Sequence, residues 1–486
     1  MNLKKAITWI LPKFQLKETV EVEGEGIKSK SITVLSETIR FIKKVVLVPK
    51  VFRDKKKLKQ KLVPVEGVQY PLIFGNNGKP FAEGNLYIHS LFQDSLDPNM
   101  PSLVGAARDL TDFWNFIQTE NIDFLDFPKL KHYKPTYRYK AHLQSRVQIG
   151  ELATSTANRR IRRMKKMYKW MLEENLIHFT NPLWQESDIH LSRKSIFGGA
   201  KTVAVKKSDL TIPNSKSDDV FDNHIMDGGR LKPLLQQEQV FLIKALLASK
   251  NTEMILIHLL ALYTGARIQT VLTFRKKHVS KGLEANDQQS VRVPVGRATD
   301  IDTKNDKQMV LHIPKWLYEK MNIYVHSERA INRRLKSVNG DTDNQYLFLS
   351  KHGSPHYTAK SERGLNPKNL RHFKEGQGVR QFITEDVLPY IRANFDPNFK
   401  YSFHDLRATF GMNLVDAGLN LVGTNKVTLD WVFDMVRSRL GHTSIVTTNA
   451  YLNFRGRLRL AYEAQQHWEQ ELHKLAGIEV DNEFIK

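Results

Sequence analysis

The hydrophobic pattern along this chain changes character twice. Through about residue 95 it is irregular, with short β-rich fragments interrupted by Pro, Gly and a basic block, KKVVLVPKVFRDKKKLKQK, at 43–61. From about 96 to 198 a helical period takes over. SLVGAARDLTDFWNFIQ (102–118) and STANRRIRRMKKMYKWMLEENLI (155–177) both repeat apolar positions every three to four residues, as an amphipathic helix does. In the second, Ile161, Met164, Tyr168, Met171 and Leu172 are expected along one buried face, with Thr154 or Ser155 as the N-cap. The next stretch, GAKTVAVKKSDLTIPNSKSDDVFDNHIMDGG, is polar and punctuated by Gly, Ser and Asp, so 199–230 reads as a linker. LKPLLQQEQVFLIKALLA then opens a new helical pattern, and the rest mixes helices with short strands. The densest apolar run, MILIHLLALY at 254–263, has the length of a buried helix.

Length and charge narrow the class. A chain of 486 residues exceeds one ordinary core, so two or three domains are expected, and a 41% hydrophobic content can fill them. The predicted architecture is mainly α with a small β-sheet. It has an ill-defined N-terminal region at 1–95, a helical domain at 96–198, the linker, and a mixed α/β domain at 231–486. Lys and Arg number 74 against 51 Asp and Glu, a formal net charge of +23, which favours a polyanionic partner. Nucleic acid and an anionic membrane surface both qualify. No apolar run approaches the roughly 20 residues of a spanning helix, which weighs against the membrane. The start, MNLKKAITWILPKF, is basic, but no small-residue cleavage site follows, so no signal peptide is expected. The absence of cysteine removes disulfides, thiolate metal sites and cysteine nucleophiles. A cytoplasmic protein is expected, nucleoid-associated if the cell is prokaryotic.

Charge patterning singles out one helix. Arg159, Arg160, Arg162, Arg163, Lys165, Lys166 and Lys169 share it, with no acid from Thr156 to Leu172. Like charges one turn apart repel. Phosphates relieve that repulsion most readily, so these seven residues are expected to contact DNA. The block at 43–61 is either a solvated surface or a DNA-contacting arm.

Four places in the last region hold residues suited to a phosphodiester. LYTGARIQTVLTF places Arg267 after a Thr-Gly turn. ATDIDTKNDKQMVLHIP reads as two strand-like runs about an Asn-Asp turn, with Lys304 at its edge. SFHDLRATFGMNLVDAG sets His404 and Arg407 three apart on one helical face, and LGHTSIVTTNAY puts His442 nine residues before Tyr451. A His-x-x-Arg match arises about once by chance in a basic chain this long, so alone it says little. The ordered series is far more specific.

That series, TGAR, Lys304, HDLR, LGH and Tyr451, resembles the tyrosine recombinases, or phage-type integrases. The resemblance covers 233–456 closely in motif order, and STANRRIRRMKKMYKWMLEENLIHFTNP looks like the last helix of the family's core-binding domain. It implies a helical core-binding domain and a mixed α/β catalytic domain clamped around duplex DNA. Arg267 and Arg407 would grip the phosphate, Lys304 would be the hairpin lysine, His404 and His442 the two histidines, and Tyr451 the nucleophile. The partners implied are double-stranded DNA carrying recombination sites, a second protomer on one site, a homotetramer on synapsed DNA, and DNA-bending accessory proteins. One position departs from the family: its carboxylate three residues after the first arginine is here Thr270, so Arg267 is braced through Gln269 or from elsewhere. The interval from Arg407 to His442 is also long for the family, which places an insertion in NLVGTNKVTLDW.

The chemistry follows from the residue types. A tyrosine of pKa about 10 is ionised about once in a thousand near neutrality, so a base must take its proton. His404 is the candidate base, with His442 donating to a nonbridging oxygen. Two arginines offer paired donors to the transition state, and the sequence shows no carboxylate cluster suited to Mg²⁺, so no metal and no cofactor are expected. Lys304, or Lys307 if the hairpin register differs, would protonate the leaving 5′ oxygen. The resulting 3′ phosphotyrosine keeps the bond energy for rejoining. The function expected is a site-specific DNA recombinase for integration or excision of a DNA element. The alternatives are a type IB topoisomerase, a telomere resolvase, or a DNA-binding protein without catalysis. Beyond Tyr451, Leu460, Ala464, Trp468, Leu472 and Leu475 form a stripe ended by Gly477. It reads as packing on its own domain, whereas the resemblance implies that this helix or the tail IEVDNEFIK docks on a neighbouring protomer.

Overall fold

The computed structural model describes residues 4–15, 17–23, 26–28, 39–45, 47–54, 57–64, 66–94, 98–194, 200–213, 223–279, 290–363 and 374–476. The chain is mainly helical with small antiparallel sheets. It divides into two compact units, one within Met1–Lys216 with Glu362–His372, the other within Ser217–Ser361 and Phe373–Lys486.

In the first unit, β1 (Ile7–Gln15) pairs antiparallel with β7 (Glu66–Phe74), Ile7 opposite Phe74 and Gln15 opposite Glu66. Between them in sequence, β2 (Lys17–Glu23) pairs with β3 (Gly26–Lys28) and β4 (Ile39–Val45), and β5 (Leu47–Asp54) pairs with β6 (Lys57–Pro64). Four helices follow: α1 (Ala82–Gln93), α2 (Met100–Thr119), α3 (Pro135–Gln148) and α4 (Thr154–Glu173). The hairpin of β8 (Glu186–Lys194) and β9 (Ala200–Ser208) completes the unit. No core boundary falls near residue 95, because Ile73, Phe81 and Ile88 are buried with Leu110, Phe113, Ile161 and Tyr168 in one cluster that also takes in Leu210 and Ile212. The predicted linker at 199–230 is likewise not uniform: its first part is β9, and its last residues belong to the second unit.

Helix α2 is capped by Asn99, whose side chain accepts from the Ser102 N–H, with Pro101 in the first turn. The predicted cap of α4 is not observed. Its N-cap is Ala153, and Thr154 lies inside the helix without a side-chain cap. Ala157, Ile161, Met164, Met167, Tyr168 and Met171 form the buried face of α4, while Leu172 is 39% exposed. The 3.6-residue period favours Met167, one turn before Met171, over Leu172.

The basic run on α4 meets carboxylates from other elements. Arg159 makes a two-pronged pair with Asp109 at 2.8 and 3.0 Å, and Arg160 lies 2.8 Å from Asp112. Lys165 and Lys169 share Glu186 at 3.2 and 3.3 Å and both lie over the Trp184 ring. Arg163 lies beside the Tyr87 hydroxyl, and its charge partly offsets the rise that burial gives that group. Arg162 and Lys166 are exposed and have no carboxylate partner among the described residues. Much of the repulsion is therefore relieved within the protein.

The second unit begins with a short hairpin, β10 (Ile225–Met226) and β11 (Arg230–Leu231). Helices α5 (Gln236–Ala248), α6 (Thr252–Thr264) and α7 (Ile268–Leu272) lead to the hairpin of β12 (Ser290–Val295) and β13 (Met309–Pro314). Then come α8 (Lys315–His326), α9 (Glu328–Leu335), α10 (Lys360–Arg363, whose last two residues belong to the first unit) and α11 (Gln377–Phe382), which continues through a π-helical turn into α12 (Leu388–Asn394). Last are α13 (Asp405–Gly423), α14 (Leu429–Leu440) and α15 (Ile445–Ala476).

The apolar run at 254–263 is the centre of the larger core. Ile257, Leu260 and Ala261 of α6 share it with Leu311 and Ile313 of β13 and Leu317 and Met321 of α8. A second cluster joins Phe410 and Val415 of α13 to Val432 and Val436 of α14, Tyr451 of α15, and Ile225 and Leu231 of the β10–β11 hairpin. The stretch read as an insertion forms the end of α13, the turn after it and the start of α14, which Thr428 caps by accepting from the Trp431 N–H.

Two other expectations are corrected. Only the second predicted strand of 298–314 is a strand. Ala298 and Asp300 have φ of 69° and 62°, so that run turns, and β12 supplies the partner from upstream. The stripe after Tyr451 does not pack on its own unit: Leu460, Trp468, Leu472 and Leu475 are 59%, 62%, 42% and 86% exposed. The tail at 478–486 and Gly477 lie outside the described residues.

The Glu186 contacts make a pH-dependent prediction. The Trp184 indole N–H, with Lys165 and Lys169, outweighs burial and holds the Glu186 carboxyl down at about 2. Its contribution is thus present above the ordinary glutamate value and is lost as pH falls towards 2. Glu186→Gln is expected to lower the stability of the first unit by about 1 kcal/mol or less at pH 7. Thermal unfolding should show the gap to the unsubstituted protein closing between about pH 4.5 and pH 2.

Candidate active site

The site is assembled where the ends of α6 and α14 meet the start of α13. Helix α6 stops at Gly265, which has φ 67°. A Cβ there would lie 2.5 Å from the Phe410 ring and 3.0 Å from Leu440, so both the left-handed turn and the close approach require glycine. The turn brings Arg267 to the N-cap of α7. Its Nη2 donates to Asp227 Oδ1 at 3.2 Å, and its Nε is buried without a hydrogen-bond partner among the described residues. Burial, then the neighbouring Arg407, pull the Arg267 guanidinium below its ordinary value.

Arg407, 2% exposed, lies in the first turn of α13. Its Nη1 donates to the Gly265 carbonyl at 2.9 Å and its Nη2 to the Leu440 carbonyl at 2.7 Å, at the C-terminal ends of α6 and α14. Its Nε donates to Asp227 Oδ2 at 2.6 Å. These carbonyls lack helical partners and carry the negative ends of two helix dipoles, which suits a buried cation.

His442 follows the Gly441 cap of α14. Its Nδ1 lies 3.1 Å from Thr448 Oγ1 and its Nε2 lies 3.1 Å from Asp227 Oδ2. Beside a carboxylate oxygen, Nε2 is the nitrogen that carries the hydrogen. The Tyr451 hydroxyl donates to the same oxygen at 3.2 Å, and its ring lies 5.4 Å from that of His442. Burial first, then the Asp227 charge, raise the Tyr451 hydroxyl well above its ordinary value.

Both arginines, one histidine and the tyrosine thus converge on Asp227, a residue the sequence reading placed in the linker. Burial alone would push the Asp227 carboxyl up. The His442 hydrogen bond and the charges of Arg407 and Arg267 outweigh it and hold the group far below the carboxylate range. Asp227 also supplies the partner that Thr270 does not give Arg267. Thr270 is buried, and the hydrogen bond that Arg267 makes goes to Asp227 and not to the Gln269 side chain. The only sequence signals for Asp227 were the missing carboxylate and a Met-Asp-Gly-Gly-Arg turn between Ile225 and Leu231.

His404 lies just before α13, as its N-cap, rather than within it. It is partly buried, and burial together with Arg267 and Arg407 lowers its imidazole below the ordinary value. Asp227, not His404, accepts from Tyr451 in this state. Lys304 is exposed on the loop between β12 and β13, and Lys307 Nζ donates to the Gly441 carbonyl at 2.8 Å. Burial and Arg437, Arg267 and Arg407 lower the Lys307 ammonium. Lys304, Lys307, Arg267, Arg407, His442 and Asp227 all line one cavity of about 480 Å³. The seven basic residues of α4 belong to the other unit. Among the described residues, no group of three or more His, Asp or Glu is placed to hold a metal ion, and no helix is long and apolar enough to cross a membrane.

No protein-family model and no curated protein matches the chain. Solved structures do resemble it. XerH site-specific recombinase bound to a palindromic difH substrate is 14% identical with a TM-score of 0.45, over 80% of this chain and 89% of that one. The Tn1549 transposon integrase in complex with circular intermediate DNA is 12% identical with a TM-score of 0.43, over 76% and 94%. A lambda integrase dimer bound to a COC′ core site is 12% identical with a TM-score of 0.42, over 77% and 96%. At similarities of this size, the reaction has to be argued from the side chains.

The seat of Tyr451 is itself testable. A Cβ on Gly411 would fall on Tyr451 Cε1 and lie 2.8 Å from its Cδ1, whereas one on Gly423 of the same helix would meet nothing. Gly411→Ala is expected to destabilise the second unit by about 1–3 kcal/mol. Gly423→Ala should not, with urea unfolding as the measurement.

Proposed function

We propose that this protein is a tyrosine-type site-specific DNA recombinase, cleaving and rejoining strands through a 3′-phosphotyrosine. The observation that carries this reading is the convergence of Arg267, Arg407, His442 and Tyr451 on one anion position. The two oxygens of Asp227 stand in there for oxygens of a phosphodiester.

With a phosphate in that position, Arg407 Nε, Arg267 Nη2 and the unpartnered Arg267 Nε donate to its nonbridging oxygens. Nε2–H of His442 donates alongside them. Arg407 is already fixed by two carbonyls, so it stabilises the growing charge without reorganising. The Tyr451 oxygen attacks phosphorus as its proton passes to His404, whose lowered imidazole keeps it neutral and able to accept. The bond to the 5′ oxygen breaks, and that oxygen takes a proton from Lys304, while Lys307 ties the loop to Gly441. A 5′ hydroxyl from another strand then reverses these steps, releasing Tyr451 and restoring a phosphodiester.

The remaining roles belong to the same reading. Arg162 and Lys166 are the α4 residues best placed to contact DNA phosphates, with Arg159 and Lys169 shared between phosphates and their carboxylates. The exposed stripe of α15 is the surface for a neighbouring protomer in a tetramer, and the protein works in the cytoplasm.

The decisive experiment incubates the protein, without added metal and with chelator, on fragmented genomic DNA of its source and traps detergent-resistant complexes. A covalent adduct on Tyr451 at one recurring sequence, absent in Tyr451→Phe, is expected. Specific binding without any adduct would sink the reading, and relaxation of plasmids lacking a special site would point to a topoisomerase. Lys304→Ala should slow cleavage of ordinary DNA but not of a substrate whose leaving 5′ oxygen is sulfur, which needs no proton. The double variant Arg162→Ala, Lys166→Ala should reduce the slope of log affinity against log salt by about 2.

A further inference from the structure

We infer that Asp227 is a built-in competitor for the scissile phosphate: its carboxylate fills the anion site of the free protein and must leave before a DNA strand can enter. This rests on the proposed reading of the site and adds its regulation. A carboxylate that merely braced Arg267 would need that arginine alone. Asp227 instead engages both arginines, the hydrogen-bearing nitrogen of His442 and the hydroxyl of Tyr451, the groups that would face the substrate. Its oxygens and those of a phosphate cannot share these donors, since two anions a few ångströms apart in a buried site repel strongly. The nucleophile is masked by the same contact, because a hydroxyl donating to a buried carboxylate is not turned towards phosphorus.

The fold allows the exchange. Asp227 stands at the tip of a hairpin whose strands are two residues each, held in the core by Ile225 and Leu231. Moving the tip need not disturb either anchor. The Lys304 ammonium lies 3.0 Å from where a Gly228 side chain would begin. The loop bearing the proposed acid therefore lies against the tip, and drawing Lys304 towards DNA removes a neighbour of the hairpin.

The test compares the full-length protein with Asp227→Asn, which keeps the shape and removes the charge, and with Asp227→Ala in case the amide disturbs folding. Glu319→Gln, an exposed position on α8, controls for the change in net charge. Two quantities are read: affinity for inorganic phosphate by calorimetry, and the rate of Tyr451 adduct formation on a nicked trap carrying the recovered site. If the carboxylate fills the site in nine-tenths of molecules, its removal should raise phosphate affinity and initial adduct rate about tenfold or more. A slower adduct with unchanged phosphate affinity would make Asp227 a brace, overturning the inference while leaving the recombinase reading intact. An equal gain in Glu319→Gln would reduce the effect to net charge and also overturn it. Tighter phosphate binding with no adduct from any protein would support the competitor role and sink the recombinase reading. Neither tighter binding nor any adduct would sink both.

Discussion

The second unit depends on how Arg407 is buried. A guanidinium removed from water needs its donors matched, and here two go to carbonyls that end α6 and α14 and one goes to a carboxylate. The same carbonyls would otherwise be unpaired helix ends. Because the turn after α6 carries Arg267 and the turn after α14 carries His442, one side chain sets the spacing of three functional groups. Gly265 and Gly441 make those turns in left-handed conformation, so the short motifs around them are helix endings.

Which parts were legible in the sequence follows from this. The helices α2, α4 and α6 were readable because each buries a face with its own period. Arg267 and His442 stood out beside Gly turns, Arg407 at a helix start and Tyr451 by its spacing from His442, and their order survives in the linear chain. Asp227 was not readable. It reaches Tyr451 across 224 positions, and its surroundings are polar like any loop. The upstream strand of the β12–β13 hairpin was missed because positive φ values at Ala298 and Asp300 are invisible to a pattern of side-chain polarity.

The α4 run shows the opposite failure, a strong local signal answered at long range. Seven like charges on one helix demanded counter-charges, and the sequence offered no way to see that Asp109, Asp112 and Glu186 are folded against them. The inference from repulsion to an external polyanion holds only for charges that remain after such pairing. On that ground Arg162 and Lys166 are distinguished from their neighbours, although all seven look alike in sequence.

Helix α15 joins two features that are otherwise unrelated. Tyr451 lies in its second turn, packed against Gly411, and the same helix continues to Ala476 with its apolar stripe in solvent. A regular helix rises 1.5 Å per residue, so Leu475 lies on the order of 35 Å along the axis from the hydroxyl-bearing turn. The helix is thus a lever with Tyr451 at its short arm. A body that seizes the far end applies torque about the Gly411 contact, and a tilt of a few degrees there shifts the tyrosine oxygen by a fraction of an ångström. The far end of the helix and the Tyr451 hydroxyl are in this way geared mechanically through one element, with no relay of side chains between them.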